Sequence, residues 1–437
     1  MMQRRPLFIV LICAVVVPVT LLGDEVRISR DEAYTELGPA AAVASPYDNP
    51  SGLTGRVVTG YQGWFRAEGD GSGLGFHHYQ KGRNFEPGKC TIDLWPDVSE
   101  FDHDELFPTE FKHSDGSVAH VFSSIHPKTV QRHFSWMAEY GIDGAFVQRF
   151  ATHAAKDRRD YRSLKFENKK LILCRDAAIR NHRCWTLMYD LSGLNEGDFD
   201  RLAEDWKQLR RRMKLGIDSN DSAYLHVNGK PLVAIWGVGF NDDREYGLKK
   251  AEWFIRLLKH NPEWGGMSIM LGVPYYWREQ QRDAVADPHL HEVLKLADVI
   301  SPWSVGRYRN DESLPTKMIS HQRADRDWCE RRKIEVLPVL WPGFSWQNLK
   351  GEKSAGIPRD GGRFLWQQFL ASTMAGNKSA YIAMFDEIDE GTAIFKCTND
   401  PPIGNSEFQT YEGLPTDHYL WLCQEGGRLL RGEVPSR

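Results

Sequence analysis

Two glutamates three residues apart, in the run Glu387-Ile388-Asp389-Glu390-Gly391-Thr392-Ala393-Ile394, are the residues of this chain best suited to acid/base chemistry. They follow the apolar stretch Tyr381 to Phe385 and precede a Gly-Thr turn. A strand that ends in paired carboxylates is how a (β/α)8 barrel presents such groups at its C-terminal face. Two carboxyls facing one ligand repel each other, which raises one pKa and makes a general acid. Asp190 is a third candidate carboxyl, and the sequence leaves open which two flank a scissile bond. Retaining glycosidases of the double-displacement kind hold their carboxyls about 5–5.5 Å apart and inverting ones about 6.5–9.5 Å. Two glutamates on one short segment meet either spacing only if the turn between them allows it.

The elements that must position these groups alternate along the chain. Short β-rich apolar runs occur at 56–65, 142–150, 185–191, 231–239, 267–277, 298–308, 335–341 and 380–387. Amphipathic helical patterns lie between them, such as Val130, Phe134 and Met137, or Phe199, Leu202, Trp206, Leu209 and Met213. Eight strands alternating with helices predict an α/β fold, a (β/α)8 TIM barrel with elaborated βα loops. Residues 56–437 are read as one catalytic domain, and 24–55 as a loose leader onto it. The first crossover, 66–141, is far longer than one helix needs, and loops of that length are functional or disordered. Its Trp, His and Asp content favours an elaboration over the barrel mouth.

The predicted strand ends carry aromatic and polar residues together: Tyr61 and Trp64; Gln148 and Arg149; Tyr189 and Asp190; Trp236; Tyr276; Trp303; Trp341. Aromatic faces stack on sugar rings, while carboxamide, guanidinium and carboxylate groups bond to hydroxyls. A cleft lined with both suits a carbohydrate, so these ten residues are the candidate substrate contacts beside Glu387 and Glu390.

Composition narrows the field. The chain has 437 residues, 41% hydrophobic and 26% charged, with a net charge of -4, an ordinary globular balance that gives no sign of a nucleic-acid partner. No Cys-x-x-Cys, His-Glu-x-x-His or glycine-rich phosphate loop occurs, so neither a metal nor another cofactor is expected. Residues 1–23 combine a basic start at Arg4 and Arg5, an apolar run and a small residue at 23, as in a secretory signal peptide. That predicts a secreted or periplasmic protein, in which the six cysteines beyond the leader are free to form a few disulfides. The sequence does not read out an oligomeric state.

With these residues in place the chain resembles glycoside hydrolase family 99, the endo-acting α-mannosidases and α-mannanases. Glu387, Glu390, Gly391 and Thr392 match the family's Glu-x-x-Glu-Gly-Thr segment after the last barrel strand. The opening Tyr61-Gln62-Gly63-Trp64-Phe65 resembles its aromatic first strand, and Met137 to Gly144 and Met188 to Asp190 resemble its early strands. The run Trp95 to Glu100 is more similar to a bacterial side group. The resemblance implies a retaining endo-glycosidase without an enzyme nucleophile. Glu387 would act as a base on the substrate's own 2-hydroxyl, giving a 1,2-anhydro sugar, and Glu390 would be the acid/base. Phe385-Asp386 and Ile388-Asp389 stand where the family has Trp-Asn and Trp-His, which bears on sugar specificity more than on hydrolysis. Two other readings remain: a conventional carboxylate pair, Asp190 with Glu390, on another glycan of xylose, arabinose or fucose type, or a non-catalytic glycan-binding barrel.

Overall fold

The computed structural model describes residues 27–42 and 49–434. The expected signal peptide lies outside the described residues.

Eight parallel strands form the frame. The first seven elements of the ring are Val57–Tyr61, Gly144–Phe150, Cys184–Asp190, Lys230–Trp236, Ser268–Pro274, Val299–Trp303 and a seventh strand broken in two. Glu335–Val336 pairs with Val299 and Ile300, whereas Val339–Leu340 pairs with the eighth strand, Ala380–Ile382. The eighth strand in turn pairs with the first, Tyr381 opposite Val58, so the ring closes through that interrupted seventh strand. All eight strands overlap the runs read from the sequence, two of them starting one residue earlier, at Cys184 and Lys230. Their hydrogen-bonding capacity is spent on parallel neighbours, and both faces are covered, which is why they are continuous apolar runs.

The helices bury one stripe each against this ring. Pro127–Glu139 starts with a proline at its first position, which costs no hydrogen bond there, and buries Val130, Phe134 and Met137. Phe199–Arg212 buries Phe199, Leu202, Trp206 and Leu209. The last helix, His418–Leu430, lies on Arg363–Met374, and Gly426 permits the approach: a Cβ there would come within 2.5 Å of the Phe369 ring.

The described stretch 27–42 of the leader packs on the barrel. Helix Arg30–Ala33 has a Ser29/Glu32 capping box, and Ala33, Tyr34, Leu37 and Ala40 are buried against the barrel's outer helices. A short segment rich in Ala reads as weak by composition, yet Tyr34 and Leu37 supply the anchors. The described cysteines Cys90, Cys174, Cys184, Cys329, Cys397 and Cys423 are all buried and unpaired, so the expected disulfides are not part of this fold.

Within the long first crossover, Phe107–Lys112 and Val118–Val121 form an antiparallel hairpin. Further upstream the insertion docks onto the segment after the eighth strand. The N–H groups of Asp93 and Leu94 donate to the Ile388 carbonyl at 2.9 and 3.3 Å. The Asp93 carboxylate accepts the N–H groups of Gln347 and Asn348 at 2.9 and 2.8 Å. One buried aspartate thereby joins the insertion to the loop after the seventh strand and, through its own backbone, to the glutamate segment.

Candidate active site at the barrel mouth

The glutamate segment is pinned from three sides. Asp386 turns away from the mouth, and both its oxygens accept backbone N–H groups at the end of the first strand, Gln62 and Gly63, each at 2.8 Å. Gly391 lets the chain turn: its φ is +65°, and a Cβ there would sit 3.0 Å from Ser345. The Ser345 N–H donates to the Glu390 carbonyl at 2.8 Å, and buried Arg359 donates to the carbonyls of Gly391 and Ala393 at 2.9 and 2.6 Å.

Held in this way, the two glutamates occupy different surroundings. Glu387 is 4% exposed and takes hydrogen bonds from the Gln62 carboxamide at 2.6 Å and the Thr392 hydroxyl at 2.5 Å. Burial, and then the charges of Glu390 and Asp389, push its pKa well above the ordinary carboxylate range. Glu390 is half-buried in a pocket of about 350 Å3 walled by Trp303, Trp346, Phe344 and Arg307. Burial raises its pKa to about 7, with Asp389 adding to the rise and Trp346 and Lys350 working against it. The Lys350 ammonium lies 3.2 Å from the centre of the Trp346 ring. Two carboxyls raised in this way, Glu390 to about 7, are equipped to give and take protons near neutral pH.

Asp389 points the other way, to His78 Nδ1 at 3.1 Å. Burial lowers the imidazole's pKa to about 3, so His78 is neutral and the contact is a hydrogen bond rather than an ion pair. His78 is stacked on Trp64 with centroids 4.0 Å apart and planes within 6°, and Trp64 is stacked in turn on Phe150 at 5.2 Å. Beneath them the buried Lys170 ammonium donates to the carbonyls of Gln62 and Gln148 and to Glu167, tying the ends of the first two strands together.

The structure brings six of the ten expected contacts to the mouth or its rim. Trp64 and Gln148 lie at its base. Asp190 is close enough for its charge to raise the pKa of Glu390, while its own carboxyl accepts the Ser192 N–H at 2.8 Å. Trp236 and Trp303 meet edge to face at 5.5 Å. Tyr276 stands further out, on the rim of an adjoining groove, beneath Arg282.

The other four point outward, away from the mouth. Tyr61 donates to or accepts from His133 Nδ1 of helix Pro127–Glu139 at 2.9 Å. Arg149 forms a two-bond pair with Asp205 of helix Phe199–Arg212, at 2.5 and 2.8 Å, and the Tyr189 hydroxyl donates to the same carboxylate at 2.7 Å. Trp341 packs edge-on against Phe364 at 4.7 Å and is fully buried. Successive strand residues face opposite sides, so if Gln148 and Asp190 face the mouth, their neighbours Arg149 and Tyr189 cannot. The register sets Gln148 beside Met188 and Arg149 beside Tyr189, which puts both misplaced residues on one outer patch over Asp205.

Sequence reasoning did not single out Gln62, Asp386, His78 or Lys170 as part of the site, and it placed Thr392 in the matched segment without a contact to Glu387. Gln62 lies between Tyr61 and Trp64 just past the end of the first strand, and that neighbourhood was the available signal. Nothing in the local sequence marks Lys170, which arrives from the helix Arg162–Arg180.

No protein-family model matches the chain, and no curated protein sequence matches it. Among solved structures it is similar to the GH99 endo-alpha-mannosidase from Bacteroides thetaiotaomicron, with a TM-score of 0.62 over 87% of this chain and 99% of that chain, at 14% sequence identity. A second structure of that enzyme, in complex with bis-tris propane, gives a TM-score of 0.59 at the same identity and coverage. At this identity the likeness is one of fold, a (β/α)8 barrel matched over nearly the whole of the other chain.

Proposed function

We propose that this protein is a retaining endo-glycoside hydrolase that cleaves an α-linked, mannose-like polysaccharide, and that it works outside the cytoplasm. The observation that carries the reading is the placement of Glu387 and Glu390 on one turn at the barrel mouth, in unlike surroundings. Gln62 and Thr392 donate to Glu387 and favour its carboxylate form, which suits a base acting on a sugar 2-hydroxyl. That oxygen would attack C1 and expel the leaving sugar while Glu390 protonates the departing oxygen. Water, activated by Glu390, then opens the 1,2-anhydro ring and restores both protonation states. The proton of the pair belongs on Glu390 in the productive complex.

The walls suit a sugar. Trp303 and Trp346 offer ring faces, and the Trp236 indole N–H and the Gln148 carboxamide oxygen have no hydrogen-bond partner among the described residues. Such groups match the hydroxyls of a bound glycan. The export proposal rests on residues 1–23 alone.

Digestion of an α-mannan panel with product sizing tests the reading. Wild type is expected to release oligosaccharides, and Glu387→Gln and Glu390→Gln to lose about three orders of magnitude or more in turnover while still binding glycan. If Asp190→Asn proves as damaging as Glu390→Gln while Glu387→Gln is mild, a conventional Asp190/Glu390 pair replaces the assignment. Binding without cleavage by wild type would sink the hydrolase altogether.

A further inference from the structure

The cleft does not end at the pocket that holds Glu390. A groove of about 770 Å3 adjoins it, shares Arg307 and Arg309 with it, and runs over the loops that follow the fifth and sixth strands. Its floor is aromatic: Tyr275 stands 5.0 Å from Tyr276 and 5.9 Å from Tyr308, ring centre to ring centre. Its walls are cationic, with five arginine or lysine side chains against two carboxylates.

Two of those five cations are already matched. Arg278 is paired with Asp325 at 3.0 Å and with Glu279, and Arg307 with Asp283 at 2.5 Å. The other three, Arg282, Arg309 and Lys317, have no carboxylate within ion-pairing distance among the described residues. Neutral partners hold the two arginines instead. Arg282 lies 4.3 Å from the centre of the Tyr276 ring and donates to its hydroxyl at 2.5 Å, and Arg309 donates to the Gly356 carbonyl at 3.1 Å. Neutral partners orient a guanidinium without cancelling its charge. A guanidinium fork so held fits the oxygens of a sulfate ester or a carboxylate, and a third cation in the same groove adds to the field.

We propose that this groove binds the acidic substituents of an anionic glycan, sulfate or uronate, at Arg282, Arg309 and Lys317, with sugar rings lying on Tyr275 and Tyr276. The proposal deepens the hydrolase reading and rests on it for the glycan chain, since the groove is continuous with the pocket of Glu390. The chain's net charge of -4 gives no general attraction for polyanions, so the preference is local.

Affinity gels with the full chain test it, cast with sulfated α-mannan, with polymannuronate, or with the desulfated and carboxyl-reduced forms of the same polymers. Either charged polymer is expected to retard wild type with an apparent Kd about tenfold lower than its uncharged form at ~0.05 M NaCl, and the difference to vanish toward ~1 M. The sulfated and uronate arms tell the two sources of charge apart. In an Arg282→Gln/Lys317→Gln variant the charged-to-uncharged ratio falls to near unity. Equal retardation by charged and uncharged forms overturns the proposal, as does a double variant that keeps the full ratio. Polyglutamate retarding as strongly as the glycans overturns the glycan assignment. If the variant does not fold, the wild-type salt series decides. Gels read binding and not turnover: failure to cleave any polymer counts against the hydrolase, and cleavage without charge preference counts against the groove alone.

Discussion

A carboxyl with a pKa near 7 is useful only while it keeps its proton, and this sets the pH behaviour of the site. Glu390 as acid requires the protonated form, so turnover is expected to fall as pH rises through about 7. Glu387 as base requires the ionised form, which the Gln62 and Thr392 donors favour against burial. Gln62→Leu removes one donor to a charged group, a change of about 1.5–3 kcal/mol, hence a fall in kcat of about 10- to 150-fold. The same substitution moves the acidic limb of the kcat profile to higher pH, because the carboxylate form of Glu387 is then less stable. A pH–rate profile that drops in height without narrowing would remove Gln62 from this role. The glutamate pair was legible in the sequence because both its members lie on one segment. The donors that tune it come from the first strand and from the far side of the turn, and only the fold unites them.

At the level of elements, the apolar runs located all eight strands and their order, since burial on both faces leaves a strong compositional mark. They did not tell inward from outward positions. A run that is apolar on both faces has no alternation to read, so from sequence Arg149 and Tyr189 are indistinguishable from Gln148 and Asp190 as site residues. Their true position makes Arg149 a structural residue, fully buried and paired with Asp205. Replacing it by Met strands a buried carboxylate and is expected to cost about 3–5 kcal/mol of stability. Denaturant unfolding measures that loss. A change confined to KM with stability intact would return Arg149 to the substrate. The seventh strand is interrupted at Leu337-Pro338, where a proline without an N–H breaks the run Glu335 to Trp341, and the two halves pair with different neighbours.

Across the whole molecule, many buried acids carry raised pKa values, and the sign of their effect on stability can be worked out. Asp386 is raised to about 6, Glu390 and Asp221 to about 7 and Asp325 to about 8, chiefly by burial. Above the unfolded carboxylate range these groups hold protons in the folded state that the unfolded chain has already released. Stability therefore falls as pH rises through their folded values. His77, His78 and His133, lowered to about 3, act in the opposite sense below the ordinary imidazole value, because the unfolded chain then takes up protons that the fold refuses. The two trends meet near neutrality. Tm is expected to drop between about pH 6.5 and about pH 8.5, and to drop less in Asp221→Asn, which removes one contributor. A flat Tm over that interval would contradict the assigned directions.

The six buried cysteines have a practical side. Each described thiol is enclosed, and burial pushes Cys90 up to about 11 and Cys184, Cys329 and Cys397 up to about 12, so in the native molecule they are both out of reach and poorly nucleophilic. They are spread from the first crossover to the last helix. An alkylating reagent therefore meets them only when the region around each one opens, and the chain carries six built-in clocks for its own opening, already distributed around the barrel without a single engineered label.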